Sequence, residues 1–80
     1  MISGVFKKNR RFHFIGIGGV SMSGLAQFCL KAGCRVSGSD TVMSDYTGRL
    51  AESGVKIFIG HARNNVRGAE VVIYNSAIAE

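Results

Sequence analysis

An α/β fold, with an open parallel sheet and helices on both of its faces, follows from three features of the sequence. Apolar strand segments alternate with helical ones, a glycine-rich turn from Gly16 to Gly24 joins the first strand to the first helix, and eleven glycines punctuate a chain that is 46% hydrophobic and has no proline. Glycines placed in this way supply tight strand-to-helix turns; they form no repeat or low-complexity tract. The first strand reads as a central one that needs neighbours on both sides, so a sheet ending after about four strands reads as truncated, and the 80 residues as one small domain of a larger protein.

Residues 12–17 form a nearly continuous apolar run, as in a strand covered on both faces of a parallel sheet. Met22, Leu25, Ala26 and Cys29 then fall on one face of a helix that runs to about Ala32, with Gly33 as its left-handed stop. Cys34 and Val36 alternate with Arg35 and Ser37 in a second strand ending at Gly38-Ser39-Asp40, and a parallel crossover returns it to the same sheet. Ser44 caps a second helix through Ser53, with Leu50 and Ala51 facing the sheet and Gly54 ending it. Val55, Ile57 and Ile59 alternate as a third strand. A polar helical turn from Asn64 to Arg67 leads to a fourth, Val71 to Tyr74, after which the chain stops within residues 75–80.

The net charge of +5 is largely a property of one end, because Lys7, Lys8, Arg10 and Arg11 supply four of the ten basic residues. From Phe12 onward six basic residues face five acidic ones, with no aromatic residues interleaved to stack bases, which argues against nucleic acid as a partner. Residues 1–11 therefore read as a basic, solvated leader and residues 12–80 as the domain. Residues 1–6 precede the positive charges and are too short for a secretory signal. No apolar run approaches the roughly 20 residues of a membrane span, so a cytoplasmic protein with no membrane partner is expected. Cys29 and Cys34 fit neither a zinc knuckle nor a redox pair and read as buried thiols; no metal site is expected.

In Gly16-Ile17-Gly18-Gly19-Val20-Ser21, glycines let the backbone turn sharply and approach a pyrophosphate, whose charge then sits on free N–H groups at a helix N-terminus. The dinucleotide fingerprint fails at its third glycine, where Ser21 stands, and Gly24 is the candidate for the close helix-to-strand approach one turn later. Asp40 ends the second strand 22 residues after Gly18, a spacing at which a carboxylate accepts hydrogen bonds from ribose hydroxyls; a turn aspartate is the plainer alternative. His13 reads as a packing residue, His61 as a loop hydrogen-bonder, and Tyr46 and Arg49 as surface residues. On these residues alone, a nicotinamide-dependent oxidoreductase domain and a non-enzymatic regulatory nucleotide-binding module both stay open.

Four ordered blocks narrow the choice: residues 13–26, HFIGIGGVSMSGLA; residues 36–40, VSGSD; Gly60-His61 with Asn65-Val66; and residues 75–78, NSAI. Together they resemble the N-terminal, Rossmann-like domain of the Mur ligase family, in its UDP-N-acetylmuramate–L-alanine ligases. The resemblance spans residues 12–78 and implies a cytoplasmic enzyme of peptidoglycan biosynthesis. Such an enzyme uses ATP and Mg2+ to form an acyl-phosphate on the lactyl carboxylate of UDP-N-acetylmuramate, which the amine of L-alanine attacks. The resemblance also implies that Gly16, Gly18, Gly19, Ser21 and Met22 face the diphosphate of the UDP substrate and that Asp40 lies near the ribose. Ser76, Ala77 and Ile78 would line the same crevice, and no catalytic residue falls in this segment. Ser21 stands where many members carry glycine, and Asn75 replaces a frequent serine. No G-x-x-x-x-G-K-[ST] loop for ATP phosphates occurs in the 80 residues, so ATP and L-alanine are expected to bind in two further domains, and this segment alone is expected to be inactive.

Overall fold

The computed structural model describes residues 6–74 and, as backbone only, 77–79. Five strands and two α-helices follow in the order β1 (Arg11–Ile15), α1 (Val20–Lys31), β2 (Arg35–Asp40), α2 (Asp45–Glu52), β3 (Lys56–Ile59), β4 (Val71–Tyr74) and β5 (Ala77–Ala79), with a 3-10 turn at Arg63–Val66. The sheet order is β3-β2-β1-β4-β5. β1 is central and parallel to both β2 and β4, and β3 is parallel to β2. The expected Rossmann-like α/β sheet is therefore present, with β1 in its expected place.

Alternation along the strands divides the sheet into two faces. Phe12 and Phe14 of β1, Val36 of β2, and Val71 and Ile73 of β4 are buried in one core with Ala26 and Cys29 of α1 and Leu50 of α2. The two α-helices touch each other, so both cover this face. On the opposite face His13, Ile15 and Ser39 meet the 3-10 turn, the helical cover of that side among the described residues. Gly33 and Gly54, at φ +92° and +103°, reverse the chain after the helices as the sequence predicts.

The structure corrects five expectations. A fifth strand, β5, turns back antiparallel on β4 with Tyr74 opposite Ala77 and Ile73 opposite Ile78; three residues of small or alternating apolar type carry too little pattern to stand out. On α2 the buried residues are Thr47 and Leu50, one turn apart, and Ala51 is exposed. Val55 is buried ahead of β3, and Ile59, at the carboxyl end, is exposed. Gly24 is solvent-exposed with open space where a side chain would go, so it supplies no close approach. The basic leader is not a free tail from Phe6 onward: the Phe6 ring stacks on Phe12 at 5.8 Å and meets Phe28 edge-on at 5.2 Å. Asn9 N–H donates to Gly33 O at 2.8 Å and Arg35 N–H to Arg10 O at 2.9 Å, binding the leader to the start of β2.

Candidate nucleotide-binding site

The site begins where β1 stops. Gly16 adopts φ +81°, a left-handed turn that favours glycine, and both its N–H and that of Ile17 donate to Ser39 O, at 2.8 and 3.0 Å. The Ile17 side chain, fully buried, drops onto Gly38: a Cβ at that glycine would collide with Ile17 Cδ1. Here the loop-to-strand approach that seals the turn depends on Gly38, a residue that sequence reasoning treats only as part of the end of a strand.

Gly18 N–H donates to Asp40 Oδ2 at 2.8 Å, and Thr41 N–H to Asp40 Oδ1 at 2.8 Å. A carboxylate offers about four acceptor positions, so both oxygens keep capacity for a further donor. Gly19 N–H donates to Gly16 O at 3.1 Å, and Gly19 is the N-cap of α1. The N–H groups of the two paired glycines are thus turned into the protein. Those of Val20, Ser21 and Met22, in the first turn of α1, have no acceptor within the helix. Gly19 offers no side-chain cap and the first turn holds no acidic residue, so the positive end of the helix dipole is open there. Val20 and Ser21 are exposed beside it, while the Met22 side chain anchors the turn in the core.

α2 is closed in contrast. Ser44 Oγ accepts from Thr47 N–H at 3.3 Å, and Ser44 N–H donates to Thr47 Oγ1 at 2.6 Å, a reciprocal capping box. Buried Thr47 and exposed Ser44 also wall the glycine loop, since a Cβ on Gly18 would lie 3.1 Å from Thr47 Cγ2 and 3.3 Å from Ser44 Oγ. The loop stands at the carboxyl end of β1, whose partners β2 and β4 lie to opposite sides, which is the switch point where open α/β sheets bind ligands. Of the expected site residues the structure brings together Gly16, Gly18, Gly19, Ser21, Met22 and Asp40. Ala77 sits beside Tyr74 at the carboxyl end of β4, Ile78 one step back, and Ser76 lies outside the described residues.

Two serine–histidine pairs occupy the other face. His13 Nδ1 and Ser37 Oγ are 2.8 Å apart, as are His61 Nδ1 and Ser39 Oγ. Both histidines border a hollow of about 330 Å³ that also touches Ile15 and Asn65. His13 is fully buried and, among the described residues, its Nε2 has no hydrogen-bond partner. Burial, and secondarily His61, push its pKa below the ordinary imidazole value. His61 hydrogen-bonds as expected of a loop residue; the Ser37 and Ser39 partners escaped sequence reasoning because only strand register sets His13 opposite Ser37. Cys29 and Cys34 are free and buried, and burial pushes the Cys29 thiol up to about 12.

Residues 11–80 match the protein-family model described as "Mur ligase family, catalytic domain". Over 70 residues the chain is 57% identical to a UDP-N-acetylmuramate–L-alanine ligase of Clostridium perfringens, covering 88% of this chain and 15% of that relative. A ligase of the same name from Hydrogenobaculum is 53% identical over 73 residues, 91% of this chain and 16% of the relative. Among solved structures, the UDP-N-acetylmuramate-alanine ligase MurC of Thermotoga maritima superposes with a TM-score of 0.76 at 34% identity, over 80% of this chain and 15% of that one. A murein peptide ligase of Psychrobacter arcticus gives 0.74 at 28% identity, over 79% and 14%. The chain thus spans about 15% of the length of the relatives it matches. With its strand-loop-helix unit and all but its first ten residues inside the match, the chain belongs to the Mur ligase family.

Proposed function

We propose that this chain is the N-terminal substrate-binding domain of a cytoplasmic UDP-N-acetylmuramate–L-alanine ligase, and that it seats the diphosphate of UDP-N-acetylmuramate on the first turn of α1. The observation that carries this reading is the open helix start: three successive N–H groups, at Val20, Ser21 and Met22, with no competing cap or acid, behind a glycine loop already fixed in shape. Such a terminus favours an anion through directed hydrogen bonds and the helix dipole together. Gly16, Gly18 and Gly19 contribute room for the phosphates to reach the backbone. Asp40 holds Gly18 and offers its remaining lone pairs to ribose hydroxyls, while Ala77 and Ile78 of β5 lie beside the end of β4 that borders the crevice.

Ligation in this family draws on ATP and Mg2+, which supply an acyl-phosphate from the substrate carboxylate. The residues present do not fit that group, because the 80 residues contain no phosphate loop with its lysine. What this chain contributes is therefore binding and orientation: it holds the UDP end so that the lactyl carboxylate is presented to the parts of the enzyme that carry ATP and L-alanine.

Titration of the intact protein by calorimetry with UDP-N-acetylmuramate and, separately, NADH tests the reading. Saturable binding of the UDP-sugar alone is expected. Saturable NADH binding without UDP-sugar binding overturns it.

A further inference from the structure

At the amino ends of the strands, the pole opposite the glycine loop, Arg11 and Arg35 are direct register partners on β1 and β2. Arg67, in the turn before β4, borders the same hollow of about 150 Å³ as both of them. Like charges set opposite each other on neighbouring strands destabilise a sheet. Among the described residues no carboxylate comes within 4.0 Å of any of these three guanidinium groups. Glu70, the acid of this corner, accepts the backbone N–H of Arg11 on its Oε1 at 3.0 Å; that bond, and secondarily the charges of Arg11, Arg10 and Lys7, hold its carboxyl below the ordinary value, so it offsets part of the charge at Arg11 while bordering a separate hollow with Lys7, Lys8 and Arg10. The Arg11 side chain is aimed by its Nε–H, which donates to Gly68 O and leaves the terminal nitrogens without a protein acceptor among the described residues. Gly68, at φ +84°, sets the turn that carries Arg67 to the same place.

We propose that this corner is an anion site for a phosphoryl group, held by Arg11, Arg35 and Arg67. Three guanidinium forks match a tetrahedral dianion with three or more acceptor oxygens better than a carboxylate, which brings two oxygens and one charge. The hollow has the volume for inorganic phosphate or the head of a phosphate monoester. It is separated from the nucleotide crevice by the length of β1, five residues at about 3.3 Å each. The site stands independently of the nucleotide reading, because it shares no residue with the glycine loop.

NMR of the arginine Nε–H groups tests it on the intact protein, titrated with sodium phosphate, with glycerol 3-phosphate, and with sodium chloride at matched ionic strength. Saturable shifts are expected at Arg11, Arg35 and Arg67 and at the amides of Gly68 and Ala69, with either phosphate and not with chloride. The tighter of the two ligands distinguishes free phosphate from an ester. Arg35 and Arg67 are exposed, so R35Q/R67Q retains the fold, and it weakens binding at least tenfold while Lys31→Gln, on the exposed side of α1, leaves it unchanged. Shifts that equal those in chloride, fail to saturate, or persist at full affinity in R35Q/R67Q overturn the proposal.

Discussion

A methyl group on Gly18 would lie 2.7 Å from Asp40 Oδ2, whereas one on Gly24 would meet nothing within 4 Å. The two glycines look equivalent in the sequence, and the difference between them is testable. Gly24→Ala, in the exposed middle of α1, stabilises by about 0.5–1 kcal/mol through helix propensity, read as a raised urea midpoint. Gly38→Ala forces Ile17 out of its seat and destabilises by about 1–3 kcal/mol in the same measurement. Gly18→Val blocks the backbone from the diphosphate and breaks the Asp40 contact. In the intact protein it lowers UDP-N-acetylmuramate affinity at least 100-fold by calorimetry and leaves ATP affinity unchanged; unaltered UDP-sugar affinity refutes the role given to the loop. Spacing was enough to group Gly16, Gly18, Gly19 and Asp40 as one candidate cluster, and the fold brings them together. Spacing could not show that Asp40 bonds Gly18 or that Gly38 is the tightest position, because both depend on which side chains the folded sheet brings against them.

At the level of elements, the helix and strand boundaries were legible wherever a period or a stop residue was strong: α1 ends against Gly33 and α2 starts at Ser44 as predicted. β5 was missed because three residues cannot display a period, and Ala51 was misplaced because the buried stripe of α2 runs through a threonine. That threonine makes the capping box, so Thr47→Ala costs about 1–2 kcal/mol of stability and loosens the wall of the glycine loop, seen as weaker UDP-sugar binding together with a lower urea midpoint. The β1–β2 pair carries a pH dependence. His13 has its pKa lowered in the fold, so the unfolded chain takes up the proton first as pH falls. The stability due to its neutral ring is complete above the ordinary imidazole pKa of about 6.5 and is lost as pH drops through the lower folded value. Urea midpoints are therefore expected to fall between pH of about 7.5 and about 5, and His13→Gln should flatten that slope even if it lowers both midpoints.

Across the whole molecule, the two ends of β1 differ in character, with an open helix start at the carboxyl pole and a hollow bordered by Arg11, Arg35 and Arg67 at the amino pole. The carboxyl pole was legible because fold topology and glycine spacing both point to it. The amino pole was not, since Arg11, Arg35 and Arg67 are far apart in sequence, Arg11 falls in the basic leader, and Arg35 is an ordinary alternating polar position of the second strand. The bond between Gly18 and Asp40 also bears on the dynamics of binding. It spans 22 residues and ties the loop to the end of β2, so under the proposed binding mode the loop is already in place for its ligand. Free and loaded forms should then follow the same backbone path from Gly16 to Met22. Arrival should be equally fast for every UDP-sugar that fits, leaving residence time to separate good ligands from poor ones.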